Sequence, residues 1–436
     1  MAPTRTVITG IGAISPLGNT SKQLWQGLCA GTCGIDRIRA FDPTGFTCQI
    51  AGEVKDFKIR DCIPRSFRKS TKLMSRDIEL SIAAAKEAIE DAGLVTKAAE
   101  SGEINIDPTR TAIILGAGLI SCDLVELAPA VAVSITDDKF DIHKWGKDGL
   151  EAVTPLWLLK YLPNMLACHI GIIHDIQGPS NSITCAEASG ILAISEARDI
   201  IARGDSDIAL TGAAEAKVNP IVMIRQMLLK RATSENNDSP AEACRPFDAD
   251  AKGSVFGEAA GMVIVENLDK AKARGAKIYA EIIGVGESNN INTAYEHLEP
   301  DGKGIAIAIE KALAEAQIQP KDLDLIIPHG TGIPQDDLAE SKAIESVLGD
   351  ATSNIPVWPT KSMLSNTGAT AGALDVIAAV CAMRDGKIPA AKNCNNKAAG
   401  CNLNIPNQPI EKEINYVLCC SYTYGGQTAA IVLKKY

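Results

Sequence analysis

Gly190–Gly204 (GILAISEARDIIARG) and Gly372–Gly386 (GALDVIAAVCAMRDG) are two stretches of one design. Each begins on glycine and runs fourteen residues to the next glycine. That second glycine suits the left-handed position that follows a helix. Ala, Ile, Leu and Val lie on nearly every side of both, and a helix that is apolar all round is buried. Two such helices are therefore expected at the centre of the fold.

Working outward, the flanking segments repeat in the same order. A strand with a G-x-G turn opens each half, at Val7–Gly12 (VITGIG) and Ile282–Gly286 (IIGVG). Helices of like pattern follow, AAKEAIEDAGL (Ala84–Leu94) and AIEKALAEAQI (Ala308–Ile318). Each leads to a buried strand closing in G-x-G, Thr111–Gly118 and Leu325–Gly332. The central helix comes next, and each half ends on a strand pair around a glycine: Asp207–Gly212 with Gly261–Leu268, and Tyr416–Ser421 with Thr428–Leu433. Strands alternating with helices imply right-handed crossovers and buried sheets. The expectation is a duplicated βαβαββ α/β fold, with residues 1–268 and 269–436 as halves and two sheets sandwiching the shared helices. The N-terminal half carries about fifty extra residues before its first helix and about thirty more, within 119–165, before its buried one. Long insertions in compact folds usually serve binding or assembly.

Composition narrows the function. The 436 residues carry a formal charge of −10, 46% hydrophobic and 4% aromatic residues, thirteen Cys and five His. The acidic balance and sparse aromatics disfavour nucleic acid. No apolar run approaches the ~18 residues of a membrane span. The start of the chain runs into an apolar strand without a signal-peptide layout. The odd, scattered cysteines include no metal-type C-x-x-C pair, so a reducing cytosol is expected.

Cys185 lies between a strand-like Ser182-Ile183-Thr184 and the first buried helix, where helix N–H groups and dipole favour thiolate. His329, in Pro328-His329-Gly330-Thr331-Gly332, ends a buried strand; His143, His169, His174 and His297 have no comparable turn. Thr367 and Cys185 each stand five residues before their helix glycine, which puts Asn366 in the pseudo-symmetric turn. Cys185, His329 and Asn366 are expected to converge.

The motifs around these residues resemble those of β-ketoacyl synthases, condensing enzymes of the thiolase superfamily, over nearly the whole chain. They are VITGIGAISPLGN, GPSNSITCAEASG, RPFDADAKGSVFGEAAG (Arg245–Gly261), HGTGIPQDDLAE, KSMLSNTGATAG and SYTYGGQTAA. The resemblance implies a thiolase-like five-layer α/β/α/β/α fold. It implies Cys185 as acyl-accepting nucleophile, His329 and Asn366 as partners, and Lys361 as supporting lysine with Glu340 beside it. Thr331, Tyr424 and Gly425 take substrate-binding or gating places, Tyr424 where the family carries a gating Phe. Elongating members have a second His at Asn366. Cys-His-Asn is the set of the initiating (type III) synthases. Ile333 replaces the second Thr of HGTGT, Glu187 a small residue two past the cysteine, and Ala251-Lys252-Gly253-Ser254 the usual Asp-Gly-Phe.

The reaction implied by the resemblance is a decarboxylative Claisen condensation. An acyl group on Cys185 would be attacked by the enolate of a malonyl thioester held by His329 and Asn366. The backbone N–H of Cys185 and that of Tyr424 or Gly425 would form the oxyanion hole. No metal or redox cofactor is required, since acyl groups arrive on the phosphopantetheine of a carrier protein or on coenzyme A. Gly10 and Gly12 lack the third glycine of a dinucleotide fingerprint, Ser15 standing there. Arg65, Arg68 and Lys69, with Lys72 and Arg76, form a basic stretch suited to an acidic carrier protein. A homodimer, or a heterodimer with a ketosynthase-like subunit, is implied. Two alternatives stay open: an acyltransferase, starter or ring-forming enzyme, and a chain-length-determining partner subunit of a ketosynthase heterodimer.

Overall fold

The computed structural model describes residues 4–99, 102–289 and 298–436. Nine strands build the main sheet: β1 (Thr6–Ile14), β2 (Thr111–Ala117), β3 (Ser180–Ile183), β4 (Ile208–Ala216), β5 (Glu258–Asn267), β6 (Ala280–Asn289), β7 (Leu325–Ile327), β8 (Tyr416–Tyr422) and β9 (Gln427–Lys435). Their order is β7-β8-β9-β6-β1-β5-β4-β2-β3. The N-terminal half thus reads first, fifth, fourth, second, third. The C-terminal half repeats this with β6, β9, β8 and β7, and its third place is taken by a short stretch whose Val357 bridges Ile326 in parallel. The duplication read from the sequence is present in strand order, with four strands of the C-terminal half matching four of the five in the N-terminal half. The two sheets are not separate, however. Thr6–Ile8 pairs with Ala280–Ile282, so one ladder runs through both halves. Strand twist accounts for so short a seam, because it rotates one sheet away from the other.

Six helices matter here: α1 (Arg76–Asp91), α2 (Met165–His174), α3 (Ser189–Ala202), α4 (Lys303–Ala316), α5 (Pro334–Leu348) and α6 (Ala371–Asp385). Helices α1 and α2 cover the outer face of the N-terminal strands, and α4, with α5 against it, covers the C-terminal strands. Between them, α3 touches β4 and β9, and α6 touches β5 and β8, so each central helix packs on both halves. The result is the five-layer arrangement of a thiolase-like fold. Residues Ala371–Met383 of α6 are buried throughout.

The opening G-x-G pairs are mid-strand, not turns. A Cβ on Gly10 or Gly12 would come within 2.3 or 2.1 Å of the Ala88 and Ala84 carbonyl oxygens of α1. On Gly284 or Gly286 it would come within 2.2 or 1.9 Å of those of Ala312 and Ala308 in α4. In both halves glycine lets an alanine-faced helix sit directly on the strand.

The first insertion ends in a 3-10 run, Arg65–Leu73. The second exposes Leu119, Val125, Ile142, Leu150, Leu156 and Leu158. Strand β3 beside it pairs on one side only, with β2.

Candidate active site

His329 follows β7 and is 1% exposed. The backbone N–H groups of His329 and Gly330 donate to Glu340 Oε1 and Oε2 at 2.6 and 2.7 Å. Asp337 accepts from Thr331 N at 2.7 Å, Thr331 Oγ1 at 3.0 Å and Gly332 N at 3.0 Å. Two carboxylates on one face of α5 thus hold the loop that carries the histidine. Burial pushes Glu340 up to about 8 and Asp337 up to about 6. Thr331 and Glu340, expected in substrate-binding or gating places, brace this loop. The Lys361 ammonium lies 3.4 Å from Asp375 on α6, and its charge also acts on Glu340, whose oxygens take the backbone donors.

The His329 ring packs edge-on to Tyr422 at 4.6 Å, with Nδ1 3.4 Å from Ser421 Oγ. Burial, helped by the cations Lys361, Arg231 and Lys217, holds it well below the usual histidine range, so it is neutral at pH 7. Asn366 is equally buried. Its backbone N–H donates to Val255 O at 2.7 Å, and its Oδ1 accepts from Gly368 N at 3.0 Å. With its oxygen so held, the amide keeps its NH₂ end as a donor.

The third expected member departs from the sequence reading. Ala186 has φ +44°, a left-handed value that is strained for alanine. It separates two unlike neighbours. Cys185 is half-buried, its N–H already donates to Ser189 Oγ at 2.8 Å, and burial together with the charge of Glu287 raises its thiol. Neither a ready oxyanion-hole donor nor a thiolate is found there. The helix-terminus field loses to desolvation and a carboxylate.

Glu187 is linked to the histidine through its backbone carbonyl, by way of Ser421. Ser421 Oγ, beside His329 Nδ1, donates to the Glu187 carbonyl at 2.6 Å. The Glu187 carboxylate is buried with Lys217 Nζ at 3.5 Å, and that ammonium also lies 3.4 Å from Glu215. Glu215 Oε2 accepts from Ala369 N at 2.6 Å, which closes the circuit onto the Asn366 turn. Burial raises Glu215, whereas Lys217 and Arg231 overcome burial and hold Glu187 below the usual carboxylate range. The structure thus links Glu187 to His329 through Ser421 and, through Lys217 and Glu215, to the Asn366 turn. Among the described residues no hydrogen bond joins Cys185 to His329 or Asn366. Two signals could have shown this: a charge inside the motif before Gly190, which burial obliges to pair, and a lysine two residues past Glu215 to pair with it.

The Tyr424 ring stacks on the Arg231 guanidinium at 4.5 Å, and Arg231 Nη2 meets Asp336 at 2.7 Å. Gly425 N points to Thr423 Oγ1 at 3.4 Å. Arg65, Arg68 and Lys69 are exposed on the 3-10 run and take part in none of these contacts. Among the described residues no group of three or more His, Cys, Asp or Glu is placed to hold a metal. His297 lies outside those residues.

A duplicated sheet over two buried central helices, with Asn366 in the turn before α6 and His329 following β7, is the architecture of thiolase-like condensing enzymes. The model of the β-ketoacyl synthase N-terminal domain matches residues 4–271, and that of the C-terminal domain residues 279–395. The chain belongs to the β-ketoacyl synthase family. It is 34% identical to 3-oxoacyl-[acyl-carrier-protein] synthase 2 of Vibrio cholerae serotype O1, over 100% of both chains. Among solved structures it is similar to the ishigamide ketosynthase/chain length factor (TM-score 0.84, 30% identity, 100% of both chains). It is also similar to a type II PKS acyl-carrier protein in complex with its ketosynthase bound to the hexaketide (TM-score 0.81, 26% identity, 100% of both chains). By family it is an acyltransferase-type condensing enzyme, of the ketosynthase class found in fatty-acid and type II polyketide systems.

Proposed function

We propose that this chain serves decarboxylative β-ketoacyl synthesis as one subunit of a ketosynthase pair, with the growing acyl group carried on a thiol of the partner. The observation that carries the reading is the Glu187–Lys217 ion pair beside His329, with Cys185 turned to other neighbours. A carboxylate is a poor substitute for a thiol here, because attack on a thioester would give a mixed anhydride, uphill of the starting bond. The family's condensation then falls to the pair as a whole. His329 and the Asn366 amide are neutral donors that can hold a malonyl thioester's enolate oxygen. The similar ketosynthase/chain length factor supports a heterodimer, and the apolar surface of residues 119–158 beside the open edge of β3 is the face suited to it. Residues 1–268 and 269–436 are its two halves.

An acyl carrier protein is the second partner, met by Arg65, Arg68 and Lys69 and supported by the similar carrier-protein complex. The carrier brings acyl groups on phosphopantetheine. Malonyl decarboxylation makes its own carbanion, so neither a metal nor a redox cofactor is called for. No helix among the described residues is long and apolar enough to cross a membrane, and with thirteen free cysteines this supports a cytoplasmic place.

The test is peptide mass spectrometry after loading the co-expressed pair with acyl-carrier protein. The acyl adduct is expected on the partner, with none on Cys185. A stoichiometric adduct on Cys185 would restore the self-acylating reading and overturn this one.

A further inference from the structure

A cavity of ≈ 530 Å³ opens on the outer face of the N-terminal half and shares no residue with the His329 site. It lies between the 60–68 segment, the C-terminal part of α1, residues 94–99 and the end of α2. That volume is within the range of small-ligand sites, roughly 300–1,000 Å³. Its two ends differ. Ile63, Leu94 and Ile173 are buried apolar side chains of its wall. The lining also carries Arg60, Arg65 and Arg68, which make no ion pair among the described residues. Against them stand the carboxylates of Asp61 and of Glu90, the latter paired with Lys86 at 3.0 Å. Cations thus outnumber anions there, although the chain as a whole carries ten net negative charges. Within the wall, His174 Nδ1 and Thr96 Oγ1 hydrogen-bond at 2.8 Å. Burial lowers His174 to about 4, so this wall is neutral at pH 7.

From this polarity we infer that the cavity binds an amphiphilic monoanion of medium chain length, a fatty carboxylate, with its head among the rim arginines and its tail on the apolar wall. An uncharged alcohol of equal length lacks the head, and acetate lacks the tail. Both are expected to bind at least tenfold more weakly, a difference of about 1.4 kcal/mol. This site lies outside the proposed condensation chemistry, although Arg65 and Arg68 of its rim are also the residues proposed above to meet the carrier protein, and it stands whichever subunit carries the acyl group.

The probe is decanoate, titrated calorimetrically into the full chain with decanol and acetate as controls. Saturable decanoate binding is expected, with a shift of the His174 imidazole NMR signals that shows occupation of the cavity itself. Arg60→Glu is expected to weaken decanoate at least tenfold and leave decanol unchanged, and Ala98→Trp, which fills the wall, to abolish both. Thermal melts of both variants report whether they fold. Equal affinity for decanoate and decanol, or binding that leaves the His174 signals in place, would overturn the assignment. So would Arg60→Glu binding decanoate as the parent does.

Discussion

The two turns that lead into the central helices are built on one frame and filled with opposite chemistry. Gly190 and Gly372 are reciprocal: a Cβ on the first would press on the Ala369 carbonyl at 2.8 Å, and one on the second on Ile191 at 2.7 Å. Each turn also holds a non-glycine residue at positive φ, Ala186 at +44° and Ser365 at +69°. The C-terminal turn is neutral and tied by backbone bonds, Asn366 to Val255 and Gly257. The N-terminal turn carries Glu187, held by Lys217 and Arg231. Duplication preserved the geometry that brings the turns together. The charge that fills one of them is a local feature, and it decides whether a thiol can work there.

The largest expected effect comes from breaking the charged turn. Lys217→Met leaves Glu187 and Glu215 buried without their shared cation, and such losses cost about 3–5 kcal/mol. Urea denaturation measures it, and a loss below about 1 kcal/mol would show that the pair does not hold the turn. The complementary variant, Glu187→Cys with Lys217→Ala, places a thiol beside His329. It is expected to take up an acyl group from acyl-carrier protein, read by intact-protein mass.

Next in size is a pH effect at the loop of His329. The folded state keeps Glu340 protonated up to about 8, well above its ordinary 4.5. Its contribution is therefore complete at acid pH and is lost as pH rises through about 8, on the order of a few kcal/mol. His174 acts in the opposite sense. It titrates at about 4 in the folded chain against an ordinary 6.5, so stability is lost as pH falls through that window. Melting temperature should be highest between these limits. Glu340→Gln should flatten the alkaline limb alone, and an unchanged limb would remove Glu340 as its cause.

Gly12→Ala and Gly286→Ala probe the symmetry itself. Each pushes a methyl into a helix carbonyl, at 2.1 and 1.9 Å, and each is expected to cost about 1–3 kcal/mol. Unequal costs would show that one half tolerates a shift of its outer helix. Cys185→Ala should matter least, with under about 1 kcal/mol of stability lost and product formation by the pair unchanged. Loss of product with the fold intact would return the thiol to the centre of the chemistry.

The order of the elements was readable because burial writes itself into periodicity. Two all-apolar helices bounded by glycines have few places to go, and mid-strand glycines opposite alanine mark a helix seated on a strand. The seam between the sheets had no such mark, since three backbone pairs leave no side-chain pattern. The turns that carry His329 and Asn366 were legible in the sequence, and both residues are buried. Linear spacing to a helix glycine set Cys185 with His329 and Asn366, but it says nothing about which side of a left-handed residue a side chain takes, and the Cys185 N–H donates to Ser189 instead. Lys361 was set beside Glu340 by likeness; its charge does act on Glu340, and the fold adds Asp375, fourteen residues on, as its ion-pair partner.

By itself, then, the sequence determined the duplicated α/β frame, the family and the turns where chemistry gathers, all of which derive from hydrophobic pattern, glycine and motif. Tertiary structure alone decided that the Glu187 backbone carbonyl meets Ser421 beside His329 and that its carboxylate pairs with Lys217. A buried charge must find its counter-charge in space, and Lys217 reaches it from another strand.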